Sequence, residues 1–300
     1  MAIQTRKPTG VPSWPTLLLA GGEGSGKSYL SAQASASVHV GRTYWINFGE
    51  KAPDDLAGIP GADFDLVEHD NTVRGVRDIV REIAALPVED KPTLLVVDSL
   101  TRVWDSIVES AQAAADKRSG RQGAAIGMDI WNKNKRTWHE IVDAINAHKG
   151  PAIVTARYDE VAEVDAGKPT GRFVWKIKSE KSLAYDVDAV LQMKVRGDYT
   201  LSKARSVKLA LDKPRIYPDF SVQDLWEKMG VIGAPTAAAV YNTPASPDEA
   251  AVSEWGEALY AAEGDVKALH ALGTDAASAG APAEVLAAIR EAYRKAKAGA

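Results

Sequence analysis

The chain has 300 residues, a formal net charge of -4, 45% hydrophobic and 25% charged residues, values ordinary for a soluble globular protein. It has no cysteine, which excludes disulfides, thiolate metal sites and Cys nucleophiles and suits a reducing cytoplasm. The acidic balance excludes a globally basic nucleic-acid binder, no apolar run reaches the ~18–20 residues that span a bilayer, and MAIQTRKPTGVPSWPT lacks the apolar stretch of a secretory signal.

After an arm over residues 1–15, the apolar run Thr16–Ala20 reads as a buried strand leading into AGGEGSGKSYL. Gly21-x4-Gly26-Lys27-Ser28 matches the Walker A pattern, in which glycines let successive N–H groups face a β-phosphate. The candidate nucleotide-binding run is Gly21, Gly22, Glu23, Gly24, Ser25, Gly26, Lys27, Ser28 and Tyr29. A helix from Lys27 to about Val38 adds its dipole, Lys27 reaches the β- and γ-phosphates of ATP, and Ser28 ligates Mg2+. Gly22-x-Gly24 also resembles part of a dinucleotide fingerprint, but the Gly-Lys-Ser ending is far more specific.

Thr43–Gly49 reads as the second strand. Glu50 follows it, placed to orient and polarise an attacking water, or else a surface carboxylate beside Lys51; Asp54 and Asp55 are its rivals. Asp63–His69 is a shorter strand, and Asn71–Leu86 has helical spacing with Asn71 as its N-cap. Pro92–Leu100 is a strand buried on both faces, ending in Asp98, a second Mg2+ ligand that Ser99 can support. A Gly- and Ala-rich loop over Ala111–Gly127 precedes a helix from about Ile126 to His148, whose Trp131, Trp138, Ile141 and Ile145 read as a core face, with a DNA platform as the alternative.

Pro151–Arg157 is the next buried strand. Thr155 and Arg157 end it at the same sheet edge as Asp98, where one of them can sense a γ-phosphate; an arginine there equally pairs with a carboxylate. Glu160–Lys178 reads as two strands around a Gly-Lys-Pro-Thr-Gly turn, and Val187–Arg215 as two more around Gly197-Asp198, an antiparallel extension of the sheet. The core over 16–232 gives way to a linker at 233–247 and a small Ala-rich helical region at 248–300. There Trp255, Leu259 and Tyr260 mark one helix, and Val285, Leu286, Ile289 and Tyr293 another. Its Arg290, Arg294, Lys295 and Lys297 suit a partner, DNA or a solvated face. The fold class is α/β, a mainly parallel sheet with right-handed crossovers.

Walker A, WINFGE, LLVVDSL, a long helix, AIVTAR and then β-hairpins, in this order, resemble the RecA-like P-loop ATPases. LLVVDSLTRVWD and KSEKSLAYDVDAVLQM look most like the phage Sak-four type, compact ATPases of phage recombination associated with single-strand annealing. The resemblance covers residues 14–225 and implies a Mg2+-dependent, DNA-stimulated ATPase. It implies assembly on single-stranded DNA as a filament or ring, with ATP between subunits, in the cytoplasm of a bacterial host. Partners it implies are single-stranded DNA, further copies of the chain and a single-stranded-DNA-binding or annealing protein, with no membrane.

By position in that family, Lys213 and Arg215 are candidates to reach a neighbour's nucleotide, with Arg205 and Lys208 behind them. The family's first DNA loop matches Ala111–Gly127, with Lys117, Arg118 and Arg121. The second matches Asp165–Lys181, where Lys168, Arg172, Lys176 and Lys178 surround Phe173 and Trp175, a mixture suited to single strands because any base can stack. Phe173, Trp175 and Ile177 alternate, so a hairpin core accounts for them equally. The sequence departs from the family in having Thr155 and Arg157 where a glutamine opens the second loop, and in having no N-terminal oligomerisation domain. A nucleotide-gated adaptor such as a helicase loader, or a DNA-translocating motor, is the alternative reading.

Overall fold

Apolar runs separated by amphipathic helices build a sheet covered on both faces. In the computed structural model, residues 5–165, 168–233, 255, 258–259, 262 and 265–298 are described. The chain divides into two compact units, Met1–Tyr241 and Asn242–Ala300.

In the first unit β1 (Thr16–Gly21), β2 (Thr43–Asn47), β3 (Asp65–Leu66), β4 (Leu94–Asp98), β5 (Ala152–Asp165) and β7 (Ala189–Met193) lie parallel. β6 (Lys168–Ile177), β8 (Tyr199–Ala204) and β9 (Arg215–Ile216) pair antiparallel with their neighbours. Among the described residues the order is β3-β2-β4-β5-β1-β7-β8-β9, with β6 on β5. β1 and β4 are buried along their whole length, as a parallel strand covered on both faces must be. Because side chains alternate, Leu18 and Ala20 join Ile46, Val97 and Val154 under α2 (Val73–Ala85), α3 (Leu100–Ser119) and α4 (Met128–Asn146). Leu17 and Leu19 face the other way with Trp45, Val96 and Ile153, under α1 (Lys27–Ser35) and α5 (Val222–Met229), where Trp226 is buried.

This is the α/β arrangement expected, a mainly parallel sheet with an antiparallel extension, with several local differences. α3 runs unbroken to Ser119, so the first half of the expected 111–127 loop is helix. Ala-rich AQAAADK favours helix, Ser99 caps its start and Gly120 ends it at φ 67. α2 is capped by the Thr72 hydroxyl, which accepts the Gly75 N–H, and not by Asn71, whose backbone is left-handed at φ 57. The core strand does not stop at Arg157 but continues as one hairpin arm to Asp165. Lys168 to Gly171, expected in the turn, belong to β6, with Lys168 opposite Asp165. β7, expected in the antiparallel extension, pairs parallel with β1; the extension proper is β8 and β9. The second strand stops at Asn47, and the Asp63–His69 strand shrinks to two residues.

Trp138, Ile141 and Ile145 are buried as expected, while Trp131 is half-buried and stacks on Trp104. In the second unit two helices, Val266–Ser278 and Ala283–Ala298, close on Ala276, Val285 and Ile289, with Trp255, Leu259 and Leu286 against them. Most of the expected linker, residues 234–247, and Tyr260 lie outside the described residues. Among the described residues no helix is long and apolar enough to cross a membrane.

Candidate active site

The parallel strands bring their C-terminal ends to one edge, where Gly21, Asn47, Asp98 and Arg157 meet the loops that follow. Between β1 and α1 the chain needs glycine: Gly24 and Gly26 have φ 65 and 95. A Cβ on Gly21 would lie 2.3 Å from the Met193 carbonyl oxygen, and one on Gly22 2.9 Å from that of Lys194. The loop is thus pressed against the end of β7, and the Gly22 N–H donates to the Met193 carbonyl at 3.2 Å.

Lys27 Nζ donates to the carbonyls of Gly21 (3.1 Å) and Gly22 (2.8 Å), lying along the loop. Burial lowers its pKa, against the opposing pull of Asp98 and the smaller pull of Glu50. The Ser28 hydroxyl donates to Asp98 Oδ2 at 2.7 Å, and the Thr155 hydroxyl to Asp98 Oδ1 at 2.5 Å. Burial pushes the Asp98 carboxyl up, and these two hydrogen bonds oppose the shift. Ser25 is buried with its hydroxyl on the Gly22 carbonyl, Glu23 is exposed, and the Tyr29 ring lies under the Arg196 guanidinium at 5.1 Å. A hydroxyl, a buried carboxylate and a lysine beside a glycine loop form a hard, all-oxygen donor set with one cation, which fits a Mg2+-bound polyphosphate.

Glu50 sits beside this group. Its carboxylate accepts from the Ser99 hydroxyl (2.8 Å), from Arg157 Nε (3.0 Å) and from Arg157 Nη2. Arg102 Nε stands 4.0 Å from the same carboxylate. The loop is held from below: Asn47, opposite Asp98 in the β2–β4 register, donates its Nδ2–H to the Glu50 carbonyl at 2.8 Å. Gly49, at φ 67 and 3.0 Å from the Arg102 side chain at its would-be Cβ, makes the turn.

Lys27, Ser28, Glu50, Asp98, Thr155 and Arg157 therefore converge. Sequence reasoning overlooks Thr101, which is fully buried. Its hydroxyl accepts the Arg157 N–H at 2.8 Å and donates to the Lys178 carbonyl at 2.7 Å, tying both arms of the β5–β6 hairpin to the start of α3. It overlooks Arg102 and Asn47 as well. The available signal is position alone: a Thr in the first turn of a helix that starts at the Asp98-Ser99 pair points at the sheet edge.

The remaining candidates lie apart from Asp98. Phe173 and Trp175 are 65% and 50% exposed, so the hairpin does not bury them in a core of its own; Trp175 has one ring neighbour, Tyr158, at 6.1 Å. Arg172 and Lys176 are exposed on the same strand, Lys168 is also in β6, and Lys178 pairs with Asp105 at 3.3 Å. Lys117 and Arg118 occupy the last turn of α3, Arg121 follows it, and Arg118 pairs with Asp129 at 2.6 Å. Lys213 and Arg215 are exposed, and Arg215 lies in β9, with β8 and β7 between it and β1; Arg205 and Lys208 are exposed too.

Residues 14–215 match the family model AAA_24, described as an AAA domain. No curated protein matches the chain. Among solved structures, that of the RadB recombinase is similar at 17% identity and TM-score 0.40, over 65% of this chain and 84% of that one. A prototypical ATPase from the type III secretion system of pathogenic bacteria is similar at 16% identity and TM-score 0.37, over 59% of this chain and 50% of that one. The cytoplasmic domain of the Thermomonospora curvata type VII secretion ATPase EccC is similar at 12% identity and TM-score 0.33, over 67% of this chain and 23% of that one.

Proposed function

The chain belongs to the AAA_24 family of AAA domains and is a P-loop ATPase, and from that premise we propose that it hydrolyses ATP in response to single-stranded DNA, as an oligomer serving phage-type recombination or annealing. One observation carries the reading: an unbroken polar path from the Glu50 carboxylate through Arg157 and the Thr101 hydroxyl to Lys178, at the base of a hairpin that exposes Phe173 and Trp175.

Lys27 and the N–H groups of the glycine loop would hold the phosphates, and Ser28 and Asp98 would hold Mg2+. When bound, the metal neutralises phosphate charge. Thr155 keeps Asp98 in the orientation that leaves its other oxygen to Ser28. Glu50 orients the attacking water and takes its proton. In this structure its oxygens are engaged by Arg157 and Ser99, so a water must compete with a guanidinium for them. Hydrolysis therefore waits on Arg157.

Arg157 belongs to the same strand as the hairpin arm, and its N–H shares Thr101 with the Lys178 carbonyl. Bases stacking on Phe173 and Trp175, with Arg172, Lys176 and Lys178 near the phosphates, pull on that arm. The motion takes Arg157 off Glu50 and frees the guanidinium for the γ-phosphate. Lys117, Arg118 and Arg121 add a second phosphate-binding group, and Lys213 and Arg215 reach the nucleotide of the next subunit. The ATPase rate with and without oligothymidylate tests this. Strong stimulation is expected in the wild type and none in Glu50→Gln, a loss of about 100-fold or more in the stimulated rate. No DNA binding in the presence of ATP and Mg2+ overturns it.

A further inference from the structure

In the C-terminal unit the helices Val266–Ser278 and Ala283–Ala298 leave a groove of about 750 Å³ along one side of their contact. That volume is within the ~300–1,000 Å³ range of formed binding clefts. Aliphatic side chains lie beneath it, and His270, Thr274 and Ser278 share its lining. Leu269 and Ile289 are buried there, and Ala277 follows two turns after Leu269. Between them stands Gly273, in the interior of a helix, where glycine is a poor helix former. A Cβ at this position would meet Ile289 Cγ2 at 3.5 Å, an ordinary contact, and because Gly273 lines the groove a longer side chain there would take up its space. Glycine keeps this floor open at a cost to the helix.

The rim has one sign of charge. Exposed Arg290 and Arg294, one turn apart, line it, and among the described residues no acidic side chain does. Glu291, on the neighbouring face, is engaged with Lys295 at 2.8 Å. Against a chain of net charge -4 this is a local cationic edge over an apolar floor. The floor speaks against nucleic acid, which calls for exposed aromatic faces; the Tyr293 ring is half-buried and packs beside His270 at 5.8 Å.

We propose that this groove docks an acidic peptide segment of a partner protein, seating its apolar side chains against Gly273, Ala277 and the half-buried Tyr293 ring, above the buried Leu269 and Ile289, and its carboxylates on Arg290 and Arg294. This is helix-in-groove recognition, with apolar anchors on the floor and ion pairs at the edge. The probe is a fluorescein-labelled peptide of about twelve residues made of Asp, Glu, Leu and Phe with the apolar residues at helical spacing. It is titrated with the full chain and followed by anisotropy. Saturable binding is expected, weakened at least about tenfold by Arg290→Glu with Arg294→Glu and by Gly273→Leu. A control peptide with Lys in place of each acidic residue stays free. The arginine changes are on exposed positions and keep the helices, so they read the groove even where Gly273→Leu perturbs the packing. No saturable binding overturns the proposal, as does binding that the arginine pair leaves unchanged. Oligothymidylate held by Arg290 and Arg294 while the peptide stays free overturns it too.

Discussion

Asp98 and Trp175 mark two ways of building a functional surface. Around Asp98 each polar side chain has its partner inside the protein: Ser28 and Thr155 donate to it, Lys27 rests on carbonyls, and Glu50 is held by Ser99 and Arg157. Along β6, Phe173 and Trp175 are exposed on one face of the strand, and the alternate positions Arg172 and Lys176 are exposed on the other. The first site is assembled inside the protein, but the Glu50–Arg157 pair must open before the proposed chemistry can begin. The second leaves two rings at least half exposed, which is what the proposed stacking of bases requires. The two regions share a strand, β5, and one hydroxyl, Thr101, and any signalling between them must load those elements.

The largest effect expected from separating the regions comes from Phe173→Ala with Trp175→Ala. Stacking contributes ~1–3 kcal/mol per base, so with both rings removed oligothymidylate affinity should fall by about thirtyfold or more, measured by anisotropy. Since both rings are at least half exposed, the melting temperature and the DNA-free ATPase rate should hardly move. Unchanged affinity would make the hairpin a structural arm and break the comparison. A smaller effect is expected at Thr101→Val. The valine keeps the shape but leaves the Arg157 N–H and the Lys178 carbonyl without their partner, a stability cost of about 1–3 kcal/mol read from urea unfolding. DNA binding should persist while its stimulation of hydrolysis disappears. Stimulation that survives intact would show that the hairpin signals by another route.

The legibility of each part follows from the range of its interactions. Phosphate recognition is local: Gly21 to Ser28 lie on one turn, so their spacing is sufficient, and the apolar run into Asp98 marks the strand end. That Glu50 and Arg157 share an edge is readable from strand order, but that they bond, 107 residues apart, is not. Nor is the role of Thr101, which acts only because the base of the hairpin folds back over α3. The 111–127 segment reads as a loop because Gly120, Gly123 and Gly127 mask the helix-forming alanines before them, and the helix uses the first of these glycines as its stop. Continuity of β5 into the hairpin is hidden because Arg157 ends the apolar run without ending the strand.

The end of α3 offers the subtlest test, since helix and loop place charge differently. A flexible loop would bring Lys117, Arg118 and Arg121 to a DNA backbone together. As the structure stands, Arg118 is bonded to Asp129, and Lys117 is fixed on the last turn of α3. For single strands, each phosphate that a protein cation ceases to neutralise lowers the slope of log affinity against log salt by ~0.7. Lys117→Ala and Arg121→Ala should each lower the slope by about that much, whereas Arg118→Ala should change it by less, because Asp129 already neutralises that guanidinium. Arg118→Ala also frees the Asp129 carboxylate, so a modest fall in affinity with a smaller change in slope than at the other two positions is the signature of the ion pair. An equal decrease in slope at all three positions would show that the α3 terminus unwinds on DNA. That would turn the helix from a scaffold beside the hairpin into a second mobile reader.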